Sequence, residues 1–264
     1  MMRHLKIIAC EVACREIGWA VAHSPSVADL EFLPVGNHDE PKKGHVDLQT
    51  RIDAVPAGRY DAILVGYGIC NQILNGLQAR HTPLIVPRAH DCLTFFLGSR
   101  ERYQTVFNEN SGTYFFTAGW LEFPHRRARA QGLAAPSGDM AAQIPAISLG
   151  RSFAELVEKY GEDNARYLAG LTEQWTQSYH QGVLIRFDFD HAMNLQEQVA
   201  DICRRNGWKM KEIAGDTALL QRWLDGPWND AEFLTVPREH TVQPSFDERV
   251  IRAQPGPPTG VSKE

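Results

Sequence analysis

The 264-residue sequence has no CxxC pair, no long uninterrupted apolar run and no surplus of positive charge. Without a stretch approaching the roughly 20 apolar residues that cross a bilayer, no membrane association is expected. The first residues, Met1–Lys6, lead almost directly into a strand-like run. With no longer apolar segment and small-residue cleavage site there, a cytoplasmic protein is expected. A formal net charge of −5 gives no reason to expect the clustered positive surface that nucleic-acid phosphates need, so a nucleic-acid partner is not expected. The one basic cluster, Arg126, Arg127 and Arg129, lies in a stretch that reads as a solvated linker. Five cysteines, an odd number, argue against a disulfide framework. They leave reduced thiols that bind metal, react or simply pack.

What is present is an ordinary globular composition, 43% hydrophobic and 22% charged, in a chain long enough for one large domain or two small α/β lobes. Short apolar runs at Leu5–Cys10, Leu30–Val35, Ala62–Val65, Pro83–Val86 and Thr113–Thr117 read as strands. Segments with helical spacing separate most of them, among them Val12–His23, Val46–Val55 and Cys92–Phe107. Pro124–Gly150 is rich in Ala, Gly, Pro and Arg and lacks periodicity. A second alternation follows, with strands at Gly182–Phe187, Lys209–Ala214 and Phe233–Val236. The expected fold is α/β, with mainly parallel sheets, helices on both faces and two lobes enclosing a cleft. The expected division is residues 1–123 as a first lobe, 124–150 as a linker or flap, 151–240 as a second lobe, and 241–264 as a mobile tail.

The chemically distinctive residues recur after strands. Cys10 and Glu11 follow the first, Tyr67, Gly68 and Cys70 the third, and Arg88, His90, Asp91 and Cys92 the fourth. Trp120 follows the fifth. In a parallel sheet these strands end on one edge, where open α/β folds place ligands. An order 2-1-3-4-5 would set Cys10, Cys70 and Cys92 side by side, as three thiolate ligands for zinc or for a four-iron iron–sulfur cluster. A lone buried cysteine is more often packing, and that reading applies to Cys203 on the apolar face of its helix. Three at successive strand ends beside acids and a histidine favour a metal site. Glu11, His90 and Asp91 are the acid–base candidates. Arg88 could hold a small anionic group in its planar fork, with Tyr67, Gly68 and Trp120 shaping the pocket. Asp188 and His191, after a second-lobe strand, would approach across the cleft, although a solvated turn explains them as well.

Several of these segments resemble domain of unknown function 1638. They are the Cys10–Glu11 strand end, Val65–Cys70, Pro87–Cys92, Gly112–Trp120, and Leu219–Phe233 with its Asp225–Gly226–Pro227–Trp228. Asn71–Gln72 departs from the glycine usual after the cysteine in that family. The resemblance implies no settled activity. It does suggest an association with corrinoid methyltransferase systems for methylated amines, and hence one-carbon metabolism and a corrinoid protein as partner. Three functions follow as expectations: zinc-assisted methyl transfer or hydrolysis on a small polar or anionic substrate, an iron–sulfur lyase or redox enzyme, or a non-catalytic accessory protein.

Overall fold

The computed structural model describes residues 2–38, 40–69, 72–109, 112–130, 132 and 153–256. They divide into two units, Met1–Tyr103 with Asp216–Glu264, and Gln104–Gly215.

The first unit is built on β1 (His4–Cys10), β2 (Val27–Leu33), β3 (Ala62–Gly66), β4 (Leu84–Pro87) and β8 (Phe233–Val236), in the order β2-β1-β3-β4-β8. The first four strands run parallel, and β8 closes the edge antiparallel to β4. Continuous apolar runs explain the buried centre, since every residue of β3 and β4 is buried. Two helices follow the first two strands. In α1 (Cys14–Ala22), Glu16, Ile17 and Ala20 form the buried stripe. In α2 (Pro41–Asp53), Gly44, Leu48 and Ile52 do so at intervals of four residues. The long helix expected after β4 is two, α3 (Leu93–Leu97) and α4 (Arg100–Glu109). Gly98 separates them with φ of +77°, a conformation that stops α3 and that glycine adopts without a Cβ clash.

The returning segment Asp216–Glu264 supplies a helix, Ala218–Asp225, whose Trp223 is fully buried and donates from Nε1 to the Ile85 carbonyl at 3.2 Å. A Cβ on Gly66 would lie 2.5 Å from the Ala9 Cβ and 3.1 Å from Trp223, so glycine lets the indole lie against the sheet. This changes the expected division: the last strand belongs to the first sheet. The expected mobile tail is in part a hairpin, β9 (His240–Pro244) with β10 (Ile251–Pro255). Its Val242, Val250 and Ile251 are buried, and backbone bonds join Val242 to Gly76 and Leu77. Residues 257–264 lie outside the described residues.

The second unit carries β5 (Thr113–Phe116), β6 (Gln181–Arg186) and β7 (Lys209–Ala214), all parallel in that order. The strand expected to be fifth in the first sheet therefore begins the second. Helix α5 (Ala118–Ala130) follows it, so the expected linker starts with helical residues. Glu122 and Arg126 pair along this helix at 3.0 Å. The rest of the flap region, apart from residue 132, lies outside the described residues. Helices α6 (Phe153–Tyr160) and α7 (Glu162–Gln177) pack together. The helix α8 (Leu195–Asn206) covers β6 and β7. Phe116, Leu184, Val199, Ile202, Cys203 and Trp208 belong to the core of this unit. A Cβ on Gly182 would stand 2.5 Å from the Cys203 sulfur, which accounts for Cys203 as a packing group.

Candidate functional site

The order β2-β1-β3-β4 sets the carboxyl ends of four parallel strands along one edge. Cys10 is the last residue of β1, Tyr67 and Gly68 follow β3 directly, and Arg88 to Cys92 follow β4. Two contacts draw the last two exits together. The Ile69 N–H donates to the Ala89 carbonyl at 2.9 Å. A Cβ at Gly68 would lie 2.7 Å from the Asp91 Cα, so only glycine permits this approach of the two chains. At β1, Glu11 Oε1 accepts from the Val35 N–H at 3.0 Å and braces the exit of β2. There the chain forms a 3-10 turn, Val35–His38. It brings His38 Nε2 to 3.7 Å from Cys10 Sγ. The imidazole also stacks on Tyr67, with ring centroids 6.2 Å apart and planes at 29°.

Two titratable groups of this edge, His38 and Asp91, are shifted by burial. It pushes the His38 imidazole below its ordinary range and so favours the neutral ring. Burial likewise raises Asp91, although the Tyr103 hydroxyl, donating to Oδ2 at 3.0 Å, and the Leu93 N–H, donating to Oδ1 at 2.9 Å, work against it. A carboxyl raised on folding binds more protons native than unfolded across the interval between its ordinary and raised values. Stability contributed by Asp91 therefore falls as pH rises through that interval. In the metal-free protein, Asp91→Asn should remove this part of the pH dependence. Denaturant unfolding of both proteins from acid to neutral pH measures it, and a constant stability difference between them would contradict the assignment.

Of the residues singled out from sequence, the fold brings Cys10, Glu11, Tyr67, Gly68 and Asp91 together on this edge. Cys92 caps α3 at its start, next in sequence to Asp91 and half-buried. His90 is exposed. Cys70 lies outside the described residues. Trp120, Asp188 and His191 belong to the second unit. There, half-buried Trp120 meets Phe123 edge-on at 6.3 Å. Asp188 and His191 are exposed on the turn Asp188–Met193, with His191 Nδ1 3.4 Å from Arg186.

Arg88 requires a correction. Its guanidinium is buried and engaged within the fold: Nε donates to the Asp230 carbonyl and one terminal nitrogen to Asp230 Oδ1, each at 2.6 Å. The other terminal nitrogen donates to the carbonyls of Arg249 and Ile251. Four of its five donors hold the chain around β8–β10, so its planar fork is engaged by the protein's own carbonyls and the Asp230 carboxylate.

His38 was not among the sequence candidates. It follows the second strand as Tyr67 and Arg88 follow theirs, but only after the intervening Val35–Gly36–Asn37 turn. Among the described residues, no three His, Cys, Asp or Glu side chains are grouped to hold a metal ion. Cys10, His38 and Cys92 therefore do not form such a set by themselves.

Residues 32–224 match a family model described as Protein of unknown function (DUF1638), a description that names no activity, cofactor or partner. No curated protein and no solved structure matches the chain.

Proposed function

We propose, for a chain that belongs to the DUF1638 family, a zinc-dependent enzyme acting on a small polar or anionic substrate, with Cys10, His38 and Cys70 as the metal ligands. The observation that carries this reading is the 3.7 Å separation of Cys10 Sγ and His38 Nε2. Two ligands on one tetrahedral zinc, at about 2.3 Å for sulfur and 2.0–2.1 Å for nitrogen, stand roughly 3.6 Å apart. Cys70 is four residues beyond the end of β3 in the sequence, and β3 is the strand beside β1.

The competing use of a cysteine beside a histidine is a nucleophilic thiolate–imidazolium pair. That pair needs a protonated ring, which the burial of His38 disfavours. A neutral imidazole is the form that binds metal. One nitrogen beside the thiols also favours zinc, which takes mixed ligands, over a cluster held by three thiolates. When bound with a position open, zinc lowers the pKa of a thiol or water, the chemistry of methyl transfer to a thiol or of hydrolysis. Asp91, oriented by Tyr103 and Leu93, is the group on this edge suited to hold a proton. Tyr67 walls the imidazole and fixes its plane.

Cobalt(II) added to metal-free protein tests this reading. It should give the intense near-ultraviolet thiolate-to-cobalt absorption and tetrahedral visible bands, both lost in Cys10→Ser. Wild type that takes up no cobalt, or a Cys10→Ser variant with an unchanged spectrum, would sink it.

A further inference from the structure

The two segments proposed to supply His38 and Cys70 also wall an open cavity of about 860 Å³ within the first unit. Glu40, Pro41, Lys42, Lys43, His45 and Val46 line it together with Gln72 and Asn75. The cavity adjoins the site through packed atoms. Gly44 lies so close to the neighbouring loops that a Cβ there would be 2.6 Å from Ile73 Cδ1 and 2.7 Å from the Asn37 carbonyl. Asn37 immediately precedes His38, and Ile73 is three residues past Cys70. His45 Nδ1 lies 3.0 Å from the Ile73 carbonyl, a hydrogen bond that fixes the ring on this wall.

The charges here differ from others on the same unit. Lys6, Arg51, Arg59 and Arg80 are each paired with a carboxylate. Lys42 and Lys43 are exposed and form no ion pair among the described residues. The exposed lining is largely apolar and includes Val46, itself 62% exposed. Two ammonium groups against one carboxylate, that of Glu40, with neutral amide donors and a largely apolar lining, match the chemistry of a small organic anion, with its charged end at the lysines and its short carbon body over Val46.

We propose that this cavity binds the anionic end, carboxylate or phosphate, of the substrate that the metal edge acts on. Lys42 and Lys43 then do what the sequence assigned to Arg88. The identification of the anion as substrate rests on the proposed metal site; the binding of the anion does not.

Inorganic phosphate and succinate, titrated separately, serve as probes, with melting temperature and calorimetry as readouts. Either should bind wild type saturably and raise its melting temperature. The double variant Lys42→Ala/Lys43→Ala should bind about tenfold more weakly or less, having lost both charge-assisted contacts. The variant should fold, because both lysines lie in the first turn of α2, where positive charge does not support a helix. The anion that binds more tightly identifies the head group. Equal binding to variant and wild type, or no binding to wild type, overturns the assignment. Zinc content measured on the same samples separates the two readings: metal without an anion effect overturns the cavity alone, and an anion effect without metal overturns the metal site alone.

Discussion

Replacing Arg88 with alanine should destabilise the protein by about 3 kcal/mol, near the lower end of the range for breaking a buried ion pair. The lower end applies because the partner carboxylate of Asp230 is 60% exposed and stays hydrated. The main loss is at the carbonyls of Asp230, Arg249 and Ile251, which give up a charged donor. Arg88→Lys should recover only part of this, since one ammonium cannot reach acceptors arranged around a planar fork. Chemical denaturation gives the magnitude. Limited proteolysis gives the place, because the β9–β10 hairpin loses its tie to the β4 exit and should be cut first. Zinc content should be unchanged. An Arg88→Ala protein as stable as wild type would show that the network does not hold the hairpin, and would return Arg88 to the ligand candidates.

The second large effect is on metal affinity. His38→Ala should weaken zinc binding by more than about 100-fold, beyond the loss typical when only an outer partner of a ligand is removed. The substitution leaves a ring-sized space beside Cys10 and Tyr67, so added imidazole should restore part of the affinity. Competition with a coloured chelator reads both changes. Unchanged affinity in His38→Ala would remove the histidine from the ligand set and leave its contact with Cys10 as packing.

The strands and the edge they end on were legible because apolar runs of four to seven residues alternate with helical periodicity. The order of the first four strands is the one expected, with β8 in the fifth place. That substitution was hidden because Phe233–Val236 reads as a strand regardless of which sheet receives it, and pairing between residues about 150 apart leaves no local signal. Gly68 was legible as a close approach, but its neighbour, the Asp91 backbone, was not. Arg88 misled for a physical reason. A guanidinium among polar strand-end residues has the same composition whether it faces a ligand or a ring of carbonyls, and those carbonyls come from residues 230, 249 and 251. His38 is hidden in the sequence because the apolar run extends to Val35, two residues past the end of β2 at Leu33, and the turn that carries the histidine has no periodicity of its own. The hairpin was missed because buried Val242, Val250 and Ile251 are sparse in a proline-rich tail, and tertiary contacts hold it more than its own periodicity does.

The proposed site holds one zinc ion on Cys10, His38 and Cys70. Elemental analysis of wild-type protein purified without oxygen, together with its absorption spectrum, tests it most directly. About one zinc per chain in a colourless protein is expected for a three-ligand site that keeps a position open. A brown protein containing iron and sulfide, or a protein without metal that also fails to take up added zinc, would contradict it.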